Sequence, residues 1–127
     1  MKTPGVLIIG IVALIVGFFI FRGITGTVVL DDGANYDNFA KCLTEKGAKM
    51  YGAYWCPHCQ NQKKLFGESW KYVDYVECSL PNGAGQTSEC QIAGISGYPT
   101  WVFSDGRKVP GEVSFQQLSQ ITGCSLQ

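Results

Sequence analysis

The residues best suited to chemistry are Cys56-Pro57-His58-Cys59, with Trp55 just before them and Tyr98-Pro99-Thr100 some way on. Two thiols with two residues between them at the start of a helix make a dithiol/disulfide centre. The first sulfur then sits at the helix N-terminus, where unpaired backbone N–H groups and the macrodipole favour thiolate over thiol. Thiolate is the form that attacks disulfides. Pro57 suits the first helical position, because the N–H it lacks would have no partner there. His58 adds a tunable positive charge beside the same sulfur. Cys56 is therefore expected as nucleophile and Cys59 as the resolving thiol, with Pro57 and His58 shaping and tuning the pair. Zinc is the rival chemistry, since a Cys-x-x-Cys knuckle closes a structural site with two further ligands, and His58, Cys78 and Cys90 are on offer. A second knuckle at short spacing is missing and Pro99 has no part in that account, so neither a metal nor a dissociable cofactor is expected.

A strand has to deliver Cys56 and a helix has to carry Cys59. Residues 49–55 (KMYGAYW) read as a buried strand, and the helix runs from Cys56-Pro57 to about Ser69 with Leu65 and Phe66 toward the sheet. Before the strand, Asn35 reads as a helix N-cap. Tyr36, Phe39, Ala40 and Leu43 recur at i, i+3, i+4, i+7, and Lys46-Gly47 closes that helix. Residues 72–78 (YVDYVEC) read as a second strand, followed by a polar Gly-rich loop and a short helix opened by Ser88-x-x-Gln91. Residues 99–103 and 107–109 form an antiparallel hairpin whose Asp105-Gly106 predicts a type I′ turn. Ser114-x-x-Gln117 caps a last helix with Phe115, Leu118 and Ile121 on one face and Gly123 at its end. The result is an α/β domain over residues 34–127, a central mixed sheet flanked by helices.

At 127 residues the chain has room for this domain and one appendage. Residues 5–21 carry no charge and lie between Lys2 and Arg22. As a helix they cover roughly 25 Å, slightly short of a hydrocarbon core of about 30 Å, which charged flanks can make up by snorkelling. A cleaved signal peptide competes with this reading, but its apolar region is normally shorter and residues 22–26 offer no clear small-residue cleavage site. Residues 1–22 are thus expected as a single transmembrane anchor and residues 23–33 as a linker. Residues 27–30 (TVVL) read equally well as tether or as an edge strand. About ten extended residues reach no more than about 35 Å, which keeps the dithiol close to the bilayer. Lys2 before the apolar run, with Asp31 and Asp32 after it, gives a weak bias toward a cytoplasmic N-terminus. Six cysteines, an even number, suit an oxidising compartment. The domain is therefore expected on the extracytoplasmic side of the cell membrane, in the periplasm or outside. With a net charge of zero and no basic stripe, nucleic acid is excluded as a partner class.

The order of elements, with Trp55-Cys56-Pro57-His58-Cys59 and Tyr98-Pro99-Thr100 at its key positions, resembles the thioredoxin-like fold over about residues 34–124. In that family the later proline is cis and lies against the sulfurs, and X-Pro is the bond at which cis is least costly. The resemblance implies that Trp55, Tyr98, Pro99 and Thr100 form a substrate platform, with the Tyr98 backbone free to pair with an extended substrate. A closer likeness runs through KMYGAYWCPHCQNQKKLFGE, YVEC and GYPTW. These are similar to the thioredoxin-like domain that accompanies bacterial vitamin K epoxide reductase homologues. That likeness implies a domain that oxidises substrate-protein thiols and is reoxidised by a quinone-linked membrane partner, here from a stand-alone anchored chain. The CPHC centre is shared with DsbA-type periplasmic thiol oxidases, which points to an oxidising disulfide. Reducing thioredoxins hold a buried acid at the position occupied here by Met50, a departure that also fits oxidation. Glu68 and Glu77 read as exposed and no substitute for that acid, and Lys63-Lys64 as a solvated face.

Four cysteines remain, and by themselves they leave three connectivities open. The related domains carry a pair at the places of Cys78 and Cys90. With that pair in place, Cys42 and Cys124 fall to each other and close a loop of about eighty residues, worth on the order of 4 kcal/mol. Against this second bond stands the usual placement of the flanking helices on opposite sheet faces, and Cys42 as a buried free thiol is the alternative. Two further functions stay open on the residues alone. One is a reductase or isomerase kept reduced by a transmembrane donor. The other is a non-catalytic binding module with purely structural cysteines.

Overall fold

In the computed structural model, residues 35–126 are described. The expected anchor at 1–22, the linker at 23–33 and the alternative edge strand at 27–30 lie outside them. Among the described residues no helix is long and apolar enough to cross a membrane.

The chain enters through α1 (Asp37–Glu45). Asn35 caps it from one residue further out than expected: its Oδ1 accepts the Asp37 N–H at 2.9 Å, and the helix starts after Tyr36. Gly47, at φ +77°, turns the chain into β1 (Lys49–Gly52). Then come α2 (Pro57–Phe66), a 3-10 helix (Gly67–Tyr72) and β2 (Asp74–Glu77). The expected continuous helix to Ser69 is broken at Gly67, whose φ of +53° an L side chain rarely adopts. A short 3-10 turn (Pro81–Gly83) and α3 (Ser88–Ile92) precede β3 (Thr100–Val102), β4 (Lys108–Pro110) and α4 (Phe115–Thr122). The cap of α3 is Thr87, whose side chain accepts from the Cys90 N–H, and not Ser88. Ser114 and Gln117 make the full capping box on α4, and Gly123 ends it in the left-handed conformation.

The sheet has the order β2-β1-β3-β4, with β1 parallel to β2 and antiparallel to β3, and β3 antiparallel to β4. This mixed α/β arrangement fits a thioredoxin-like fold. The β3–β4 connection is not the expected type I′ turn, which needs positive φ at both central residues. Of Asp105 and Gly106 only the glycine has it, and the turn closes through Gly106 N–H to Phe103 O and Phe103 N–H to Arg107 O. That is a type I turn followed by a left-handed glycine.

Strand alternation sorts the core into two clusters. Met50 and Trp101, paired in register, face Phe39 and Leu43 of α1, Cys59 and Phe66 of α2 and Leu118 of α4. Tyr51, with the partly buried Val76 and Val102, packs against Cys78, Cys90 and Ile95. On α2 the buried residues are Cys59, Gln62 and Phe66, one helical face, which leaves Leu65 half exposed rather than turned to the sheet.

Cys42 is bonded to Cys124 and Cys78 to Cys90. The objection to the first bond is answered by the packing. Phe39 of α1 and Phe115 of α4 stack edge to face at 5.3 Å, so these helices share one sheet face.

Candidate active site

Cys56 is the residue just ahead of α2. It has extended backbone angles, Pro57 follows as the first helical residue, and the Cys56 carbonyl accepts the Gln60 N–H. Pro57 takes that place without forfeiting a hydrogen bond. Both Cys56 and Cys59 are free thiols in this structure. Cys56 keeps 6% of its surface, whereas Cys59, one turn in, has none. Burial pushes the Cys59 thiol up to about 12, helped by the neighbouring Cys56 sulfur and opposed by the Ala53 backbone N–H and the Lys63 charge. An outer thiol that can be reached and an inner one held protonated are the two parts of a mixed-disulfide cycle.

The Tyr98–Pro99 peptide bond is cis and Pro99 is fully buried. The Tyr98 carbonyl accepts the Cys56 thiol at 3.5 Å. Trp55 is about half exposed, stands edge-on to Tyr98 with ring centroids 6.0 Å apart, and donates from Nε1 to Ser79 Oγ at 2.9 Å. Trp55 and Tyr98 thus stand together beside Cys56. Thr100 does not join them. It is buried and its hydroxyl donates to Gly97 O at 2.8 Å, shaping the turn ahead of Pro99.

His58 points outward, with 70% of its side chain exposed, and its Nδ1 lies 2.7 Å from Glu112 Oε1. Asn61 Nδ2 donates to the same oxygen at 3.2 Å. The hydrogen bonds from His58 and then Asn61 hold the Glu112 carboxyl below its usual range. Glu112 escapes a reading of the sequence because 54 positions separate it from His58. The loop that carries it is fixed by Gln62, fully buried, which donates to Val113 O at 3.0 Å and accepts Val113 N–H at 2.7 Å.

Glu77 and Lys63 also differ from expectation. Glu77 is half-buried, and its carboxylate accepts Tyr75 Oη at 2.8 Å, Ser79 N–H at 2.9 Å and Tyr54 N–H at 3.2 Å. Lys63 is not on a solvated face: its Nζ lies 4.0 Å from the centre of the Tyr75 ring. The alternation in Tyr75-Val76-Glu77 does put its outer two residues on one strand face, but nothing local says that Cys59 lies there. The zinc alternative loses two of its ligands, since Cys78 and Cys90 are bonded to each other.

The chain is similar to a thiol-disulfide oxidoreductase. A relative from Arabidopsis thaliana, named Thiol-disulfide oxidoreductase LTO1, is 45% identical over 92 residues. The match takes in 68% of this chain and 24% of that relative, so the chain spans about a quarter of the longer protein. No family model matches.

Proposed function

We propose that this chain is a membrane-anchored, extracytoplasmic thiol:disulfide oxidoreductase that oxidises the thiols of substrate proteins. The observation that carries the reading is the pairing of Cys56, which keeps a small exposed surface at the start of α2, with a fully buried Cys59 behind it. A substrate thiolate attacks Cys56 in the Cys56–Cys59 disulfide, and Cys59 leaves as the thiol. A second substrate thiol then attacks the mixed disulfide, releasing an oxidised substrate and the reduced pair. Electrons pass onward to a quinone-linked membrane partner of the vitamin K epoxide reductase type, as the resemblance implies. The Trp55–Tyr98 pair receives the substrate. Two further disulfides elsewhere in the domain suit an oxidising compartment. The apolar run at residues 5–21 supplies the anchor.

The reduction potential of the Cys56–Cys59 pair tests the direction of flow. The full chain is equilibrated in glutathione buffers and read by thiol alkylation and mass spectrometry. A value near or above about −180 mV supports oxidation. One near about −270 mV, the thioredoxin range, overturns it in favour of a reductase.

A further inference from the structure

The buried thiol needs a partner for its proton, and β1 offers none, because the position used by reducing thioredoxins is Met50, fully buried in the core. The neighbouring strand does. Gly52 pairs with Glu77 across β1 and β2, and Tyr75 lies on the same sheet face two residues before it. A Cβ built on Gly52 would come within 2.9 Å of Cys59 Sγ, 3.0 Å of Tyr75 Cε2 and 3.3 Å of Tyr75 Oη. The sulfur and the phenol oxygen therefore converge on the space that this glycine leaves open. Both atoms lie within 3.3 Å of that one position, and proton transfer needs hydrogen-bond reach or one bridging water between them.

We propose that Tyr75 and Glu77 are the proton relay of Cys59. In resolution, the Cys59 thiol passes its proton to Tyr75 Oη while Tyr75 gives its own to the Glu77 carboxylate. The Cys59 sulfur then attacks Cys56 in the mixed disulfide, the Cys56–substrate bond breaks, the Cys56–Cys59 bond forms, and the substrate sulfur leaves with the electron pair and takes up a proton. In the oxidising direction the same path runs backward and protonates Cys59 as it leaves. The inference rests on the redox reading above and is neutral as to direction, so Met50 ceases to be an argument for oxidation.

The setting fits the task. Glu77 Oε1 is held by the Tyr54 and Ser79 N–H groups, leaving Oε2 for the Tyr75 hydroxyl. Burial first and the Glu77 hydrogen bond second raise the Tyr75 phenol above its ordinary value, so it hands protons on without resting as phenolate. The charged and titratable groups facing the cluster are Cys56, Cys59 and Lys63 from the α2 side and Tyr75 and Glu77 from β2. Lys63 over the phenol ring favours the negative charge that develops on the sulfur.

The test uses the reduced full chain and oxidised glutathione, followed by acid quench and mass spectrometry across a pH series. Formation of the mixed disulfide depends on glutathione concentration, whereas its resolution does not, so the two steps separate. Glu77→Gln and Tyr75→Phe keep the size of each side chain. Both should leave the first step unchanged and slow resolution at neutral pH by about 10²-fold, the lower end for a positioned base. The deficit should close as pH rises toward ionisation of Cys59 by itself, which a merely structural defect would not do. Resolution at the wild-type rate, or slowed equally at every pH, overturns the relay alone. A wild-type chain that forms no mixed disulfide overturns the redox reading beneath it.

Discussion

His58 and Glu112 show how a single exposed pair marks the approach to Cys56. The carboxyl is held below its usual range by hydrogen bonds from His58 and Asn61, so its charged form is favoured in the fold. For a depressed carboxyl the stabilisation is present above the unfolded value, about 4.3, and is lost as pH falls through the lower folded value. Glu112→Gln should therefore unfold at a lower urea concentration than the wild type at neutral pH. That difference should close as pH falls below about 4. Urea midpoints taken over a pH series check this, and a gap that persists in acid would show that the carboxylate charge is not its source. The effect is small, because both partners are well exposed and water screens them. What the sequence made legible at this scale is the local chemistry: Cys56, Pro57, His58 and Cys59 lie in one helical turn, and their types announce their use. Glu112, Tyr75 and Glu77 reach the same place through tertiary contact, and no local pattern marks them.

Single buried polar groups also hold one element to another. Gln62 is the clearest case, a fully buried amide that satisfies both the N–H and the C=O of Val113 and so pins the loop after β4 to α2. Gln62→Ala leaves both backbone groups buried without partners, at about 1–3 kcal/mol each. A loss of about 2–6 kcal/mol in urea unfolding is expected, together with faster hydrogen exchange at the Val113 amide. Unchanged exchange there would mean that the loop is fixed by something else. Signals confined to a few consecutive residues read well from sequence at this scale: the Ser114–Gln117 box and the Gly123 stop on α4 stand as expected. Faces read less well. Leu65 and Phe66 are equally apolar, and only the burial of Cys59 and Gln62 on the same helix decides that Phe66 goes inward. Strand ends also came out shorter, because β1 pairs only as far as Gly52 before the chain turns toward Cys56.

At the scale of the domain, the two disulfides and the dithiol divide the cysteines by accessibility and by span. Cys42–Cys124 joins residues 82 positions apart and ties the start of the domain to its end, while Cys78–Cys90 closes only 12. Sequence left the first bond open because the side of the sheet taken by each helix is a tertiary fact. With α1 and α4 in one core, the bond adds a covalent link to contacts already made by Phe39 and Phe115. In the chain-entropy account, the long closure is worth about 4 kcal/mol and the short one about 3 kcal/mol. The Cys42→Ser/Cys124→Ser double variant should accordingly lose slightly more stability than Cys78→Ser/Cys90→Ser, both read by urea unfolding without reductant. Attack on a disulfide needs access to sulfur, and Cys78, Cys90 and Cys124 are essentially without exposed surface. Glutathione that reduces the Cys56–Cys59 pair should leave the other two bonds intact. Alkylation of the folded protein should then mark Cys56 first. Unfolding without reductant should add Cys59, and the remaining four cysteines should label only after strong reductant in denaturant. Early labelling of Cys42 or Cys90 would instead make one of these bonds part of the exchange path, and the domain would carry electrons through a second pair.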